Sequence, residues 1–455
     1  MVWAIAGVLA WTGAASYAEL GGAIPLNGGS QVYLSKIFGE LLGFLFTWSA
    51  VFVLRPGSAA IIAIIFGEYV VRAIVGAEAE NAHVWINKGV ALLGLILVTL
   101  VNCISTKLAT RTGDMFMFLK FIALFGITII GIIVAATGLT FKNPPSQEWK
   151  HNNWLDGTSK DPSNWAVAVY AGLWAFDGWD NTNYVTGEFR DPARSLPRII
   201  HTAMPLVILS YILVNLAYIF VLPADIIALS DTIAVDFGHL VFGPVGSLVL
   251  ALFVGASCFG ALNATTFTSG RLIYAAGKEG FLPEILGHIG MPGANPTELD
   301  TPRSRQGRWD RRQILSFISD NGSLLFTPIN AMVLNALLTT VYILIGSFAT
   351  LLTFYGVAGY TFYFLTVLGL IVLRVKEPTL ERPYKCWIST PIIFCCVSLF
   401  LLSRAMVRRP FQTIIVVVFV AAGIPVWYWK IRKGGKGKAL ENGGGFWRRW
   451  GRARM

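Results

Sequence analysis

Long apolar runs alternate with short charged punctuation along the whole chain. The first 18 residues carry no charged side chain before Glu19. Glu40 and Glu68 enclose a run interrupted only by Arg55, and Lys88 and Lys107 enclose 18 uncharged residues. From Met115 to Phe141 the only charge is Lys120. Further spans read as 164–187, 199–223, 240–270, 387–403 and 410–429. Residues 321–373 hold 53 uncharged positions in a row. As one helix they would run roughly 80 Å, far beyond a hydrocarbon layer of about 30 Å. The pattern therefore predicts two helices there, turning near Gly346-Ser347, and eleven spans in all.

Composition supports that pattern. Of 455 residues, 13% are charged, against about 25% in soluble domains. Mean hydropathy is +0.62. A soluble molecule must cover itself with polar side chains, so this composition excludes a soluble enzyme or a disordered scaffold. Only helices and closed barrels satisfy the backbone in lipid. These runs are too long and too continuously apolar for alternating barrel strands, so the fold class is an all-α polytopic membrane protein.

The net charge of +11 sits beside apolar spans, so it marks the cytoplasmic side rather than a nucleic-acid site. With the C-terminus inside, the loops on that side hold 26 Lys and Arg against 8 opposite. The reading is a membrane domain over 1–430, with a proline- and arginine-rich cytoplasmic loop at 280–322 and a basic tail at 431–455. An odd number of spans then places the N-terminus outside. Met1 begins directly on an apolar run without a basic flank, which suits a missing first helix better than a signal peptide. Cys103, Cys258, Cys386, Cys395 and Cys396 fall in or beside apolar segments without metal-ligand spacing, and read as buried free thiols. No metal and no cofactor is expected.

Ionisable groups inside spans are the candidates for function, because burying charge in lipid is costly. Trp174, Ala175, Phe176, Asp177, Gly178, Trp179, Asp180 and Asn181 lie within one apolar span. Two acids, a glycine and an asparagine make a poor continuous helix. They suit a broken helix whose freed backbone groups bind substrate near the membrane midplane. A span ending at Asp177 is the competing reading, but 164–176 is too short to cross. Lys120 reads equally as a lysine snorkelling to the interface or as a fixed cation in an ion site. Arg55-Pro56 predicts a kink and an arginine needing a carbonyl or acidic partner. Asn263 reads first as an interhelical hydrogen-bonding residue, and second as a contact to the substrate region. No phosphate-binding loop, HExxH or GxSxG motif is present, so the chain does not read as an enzyme.

At these residues the chain resembles the amino acid–polyamine–organocation superfamily, in particular the L-type amino acid transporters and fungal methionine permeases. The carriers are Ser16 to Gly21, Ile24-Pro25, Gly28-Gly29, Arg55-Pro56, Phe176 to Trp179, Val185 to Glu188, Asp191-Pro192, Leu196-Pro197, Phe267 to Arg271 and Leu380 to Pro383. The resemblance implies a leucine-transporter-type inverted-repeat fold, with eleven transmembrane helices and the usual first helix missing. It makes the broken helix the first of the second repeat, with Trp174 as an aromatic gate. The carbonyls from Trp174 to Asp177 would receive a substrate ammonium. Lys120 would stand in for a sodium ion, and Glu19 and Arg55 would be structural. Asp177 and Asp180 depart from the glycine and asparagine usual in animal L-type members, which points to proton coupling or altered substrate choice. The loop at 72–88 lacks the cysteine that tethers animal members to a heavy chain, so no disulfide-linked partner is expected.

The function expected is secondary active, sodium-independent transport of amino acids by alternating access. Methionine or large neutral L-amino acids are the expected substrates, and a multi-pass protein of the plasma membrane is the expected setting. The alternative is a truncated, non-transporting protein acting as an amino acid sensor or regulatory isoform.

Overall fold

A computed structural model describes residues 1–76, 84–141, 144–151, 157–290, 325, 327–346, 348–408 and 410–429. The tail at 431–455 and the loop at 280–322 from residue 291 onward lie outside the described residues. Among the described residues every regular element is helical. The principal helices are α1 (Val2–Ala23), α2 (Ser30–Phe38), α3 (Glu40–Val75), α4 (Val84–Ile104), α5 (Thr106–Thr137), α6 (Pro162–Ala175) and α7 (Pro192–Val221). They continue with α8 (Ile233–Phe242), α9 (Pro244–Lys278), α10 (Ile329–Ile345), α11 (Phe348–Lys376), α12 (Ser389–Arg408) and α13 (Pro410–Trp427).

Among the described residues, eight helices are long and apolar enough to cross a membrane: α3, α4, α5, α7, α9, α11, α12 and α13. The other three expected spans are α1, α6 and α10. The last two run only 14 and 17 residues. A helix enclosed by other helices need not be uniformly apolar, and α1 accordingly buries Ser16 and Glu19 completely. The expected turn near Gly346 falls where α10 ends at Ile345 and α11 begins at Phe348.

Helix ends differ from the expected span ends for one physical reason. Charge marks where the apolar layer stops, not where hydrogen bonding stops. α5 therefore starts at Thr106, capped by the Ser105 hydroxyl, and carries Lys107, Arg111 and Asp114 on its first turns. α9 runs on to Lys278, and α3 to Val75. Two Asp-Pro pairs start helices in the same way. The Asp161 carboxylate accepts from the Ser163 amide at 2.8 Å ahead of α6, and Asp191 accepts from Arg194 at 3.3 Å ahead of α7. Each following proline occupies the first turn, where its missing N–H costs nothing.

Arg55-Pro56, read as a kink, follows a single π turn of α3 over Ala50–Leu54. Pro56 has no N–H to offer the Phe52 carbonyl four residues back. The Arg55 amide reaches Ala50 instead, and the Tyr342 hydroxyl of α10 donates to the Phe52 carbonyl at 3.0 Å. The π turn thus stands against a partner that satisfies the orphaned acceptor.

Two apolar cores fill the bundle. One joins α3, α4, α9 and α10 with the first half of α11, through Phe44, Phe46, Ile61, Leu95, Leu262 and Phe362. The other joins α1, α6, α7 and α12 with the second half of α11, through Tyr17, Leu20, Leu173, Met204, Val367 and Phe394. α11 crosses from one core to the other, and the interruption after α6 lies beside that crossing.

Candidate functional site

The apolar span that begins near Trp165 stops being an α-helix at Ala175. Five residues of turn follow, and a 3-10 helix resumes over Asn181–Glu188. Gly178 has φ +99°, a left-handed backbone that a side chain would strain. The Phe176 and Asp177 amides fold back onto Leu173 and Trp174 at 3.2 and 3.0 Å. Among the described residues, the carbonyls of Ala175, Phe176 and Asp177 then receive no backbone N–H. The sequence Asp-Gly-Trp-Asp-Asn therefore makes a helix break with acceptor groups left without a backbone donor among the described residues, as its composition predicts.

The two acids of the break have different surroundings. Asp180 is 1% exposed. Its carboxylate accepts from the Tyr184 hydroxyl at 2.8 Å and from the Arg55 guanidinium at 3.4 Å. Arg55 also donates to the Asn181 side-chain oxygen at 2.9 Å and stacks 4.3 Å over the Tyr184 ring. The partner that a buried arginine requires is thus an acid from the break itself. Asp177 is only partly buried. Its two oxygens accept from neutral phenols of α11: Tyr355 at 2.6 Å and Tyr363 at 3.3 Å.

The other expected site residues divide between the break and its supports. Trp174 is half-buried on the last turn of α6, against the first apolar core. Phe176 and Trp179 are buried and serve as packing anchors. Phe176 meets Trp3 and Tyr211 at ring distances of 6.2 and 5.1 Å. Trp179 meets Tyr17 and Tyr363, both at 4.9 Å. Asn263 is engaged away from the break: it accepts from Asn102 and donates to the Ala109 carbonyl, both at 2.8 Å. That is the interhelical bonding first expected of it. Lys120 lies about four turns into α5, because α5 begins at Thr106, ahead of the apolar run that starts at Met115. It is half-buried and has no hydrogen bond or ion pair among the described residues.

Glu19 is completely buried and ties the end of α1 to the α11–α12 connection. Arg374 bonds it with two nitrogens, one at 2.9 Å, and Arg382 stands 3.6 Å away. The Cys386 amide donates to it at 2.9 Å. Arg382 also bonds the carbonyls of Leu373, Glu377 and Leu380, closing the connection. The motif residues Glu19 and Leu380 to Pro383, far apart in sequence, form one structural lock.

A bundle of apolar helices around a broken helix with buried ionisable groups defines a multi-pass integral membrane protein of the transporter class. The profile of the amino acid permease family matches residues 1–431. The chain is 34% identical to the b(0,+)-type amino acid transporter 1 of Mus musculus over 425 residues, covering 93% of this chain and 78% of that one. It is 34% identical to the Homo sapiens protein of that name over 426 residues, covering 93% and 78%. Against the large neutral amino acids transporter small subunit 2 of Mus musculus, identity is 33% over 431 residues, covering 94% and 73%. The chain belongs to the amino acid permease family, among its L-type amino acid transporters, a family of non-enzymatic transporters.

Proposed function

We propose that this chain carries amino acids across a membrane by alternating access, without sodium, and that its substrates are methionine or large neutral L-amino acids. The observation that carries this reading is the helix break itself. The carbonyls of Ala175 to Asp177, to which no backbone N–H donates among the described residues, belong to the same interruption as the partly buried Asp177 carboxylate. Such a set of acceptors suits the ammonium common to all amino acids, and leaves the side chain to be selected by apolar and aromatic neighbours such as Trp174. Relatives named for amino acid transport support the same reading.

Lys120 supplies a fixed cation within the otherwise uncharged stretch of α5 that follows Asp114, which removes the need for a bound sodium ion there. The two cores, joined through α11 and the polar contacts of the break, supply two bodies able to rock against each other. Plasma membrane placement, a cytoplasmic C-terminus and operation without a disulfide-linked heavy chain complete the proposal. The test is uptake of labelled methionine and leucine by proteoliposomes containing the purified chain, with choline replacing sodium. Saturable uptake above empty vesicles supports the reading, and none for any amino acid overturns it.

A further inference from the structure

Asp177 is the site acid whose charge the protein leaves uncancelled at close range. Asp180 has Arg55 beside it, and the two charges offset each other inside the bundle. Asp177 is held by Tyr355 and Tyr363. A phenol fixes a carboxylate by donating a hydrogen bond, yet brings no charge of its own. A lysine or arginine in that place would hold the group equally well and neutralise it. Both tyrosines are themselves 7% exposed, Tyr363 among the rings of Tyr17, Trp179 and Tyr360 and Tyr355 within the first apolar core, so their hydroxyls are set in place before any ligand arrives. A carboxylate has about four lone-pair sites. One phenol on each oxygen and the neighbouring Gly178 amide still leave acceptor capacity for a ligand.

We propose that Tyr355 and Tyr363 are positioning residues for substrate: together they clamp the Asp177 carboxylate so that its remaining acceptor sites meet the ammonium of an amino acid at the helix break. This rests on the transport reading above and deepens it. Fixing a carboxylate rotamer in advance removes an ordering cost from binding, so the clamp acts on affinity rather than on the turnover of the loaded protein. Tyr355, at the shorter distance, contributes more than Tyr363.

The test is a double-mutant cycle on uptake of labelled methionine and leucine, normalised to surface protein, with KM and Vmax measured separately. The forms compared are the parent, Y355F, Y363F, D177N, Y355F/D177N and Y363F/D177N. Y355F is expected to raise KM several-fold, up to roughly tenfold, with Vmax changed by less than about twofold. In the D177N background, Y355F adds less than about twofold, because its action runs through the carboxylate. Equal KM increases in both backgrounds overturn the proposal, since packing alone then explains them. So does an unchanged KM in Y355F when D177N itself raises it. If Y355F does not reach the membrane, Y363F gives the same cycle with smaller effects. Uptake of no amino acid by the parent overturns the transport reading and this proposal together. Uptake by the parent with independent effects overturns this proposal alone.

Discussion

The Arg55 guanidinium lies 3.4 Å from the Asp180 carboxylate, joining helix α3 to the last residue of the helix break. Both groups are almost fully enclosed, with side chains 9% and 1% exposed. Two charges in such a place are costly singly and tolerable as a pair. The π turn at Ala50–Leu54 precedes Arg55 directly, so the backbone irregularity and the charge pair belong to one local arrangement.

Removing one member of this pair strands the other. R55M is expected to lower stability by about 3–5 kcal/mol, and the R55M/D180N double variant by distinctly less, because no unpaired acid remains. Thermal unfolding of the purified variants in detergent measures the difference. Equal losses in the two variants would show that the arginine matters through packing alone.

The Phe52 carbonyl depends on Tyr342 for its hydrogen bond. Y342F removes that bond from a part-buried acceptor, at a cost of about 1 kcal/mol. P56A has a different outcome: an N–H returns at position 56, the π turn reverts to α-helix, and Arg55 rotates out of register with Asp180. Uptake is expected to fall in P56A more than stability does. A variant with parental KM and Vmax would contradict this.

Glu19 is the hinge pin of the lock formed with Arg374 and Arg382. E19Q keeps the shape but leaves two arginines without their carboxylate. Loss of roughly 3 kcal/mol or more should appear as poor recovery of folded, monodisperse protein in fluorescence-detected size-exclusion chromatography. Parental recovery and melting temperature in E19Q would refute the assignment.

All five cysteines are free thiols in the structure. The protein is expected to migrate identically on reducing and non-reducing gels when isolated from its native membrane. A mass shift on reduction would reveal a covalent partner.

Much of this architecture was legible in the residue pattern. The break was visible because Asp177, Gly178, Asp180 and Asn181 interrupt an apolar span, and polarity inside lipid is a strong signal. The turn between α10 and α11 followed from length alone. Arg55 announced that it needed a partner, although nothing local named Asp180, which lies 125 positions away. Tyr355 and Tyr363 were missed for a physical reason. In the uncharged run at 321–373 a tyrosine counts as an apolar residue, and only the fold brings its hydroxyl to a carboxylate. α2 and α8 escaped notice because 9 and 10 residues cannot cross a membrane. The start of α5 was not legible, because the charge pattern marks the edge of the apolar layer, whereas α5 carries its first charged turns as helix.

Transport by this protein, as proposed, starts with an amino acid bound at the helix break. The most direct measurement is counterflow of labelled methionine into proteoliposomes preloaded with unlabelled methionine, in sodium-free buffer, comparing the parent with D177N. The account predicts accumulation of label by the parent and a clear rise in KM in D177N. No accumulation by a correctly folded, reconstituted parent, with methionine or leucine, would contradict it.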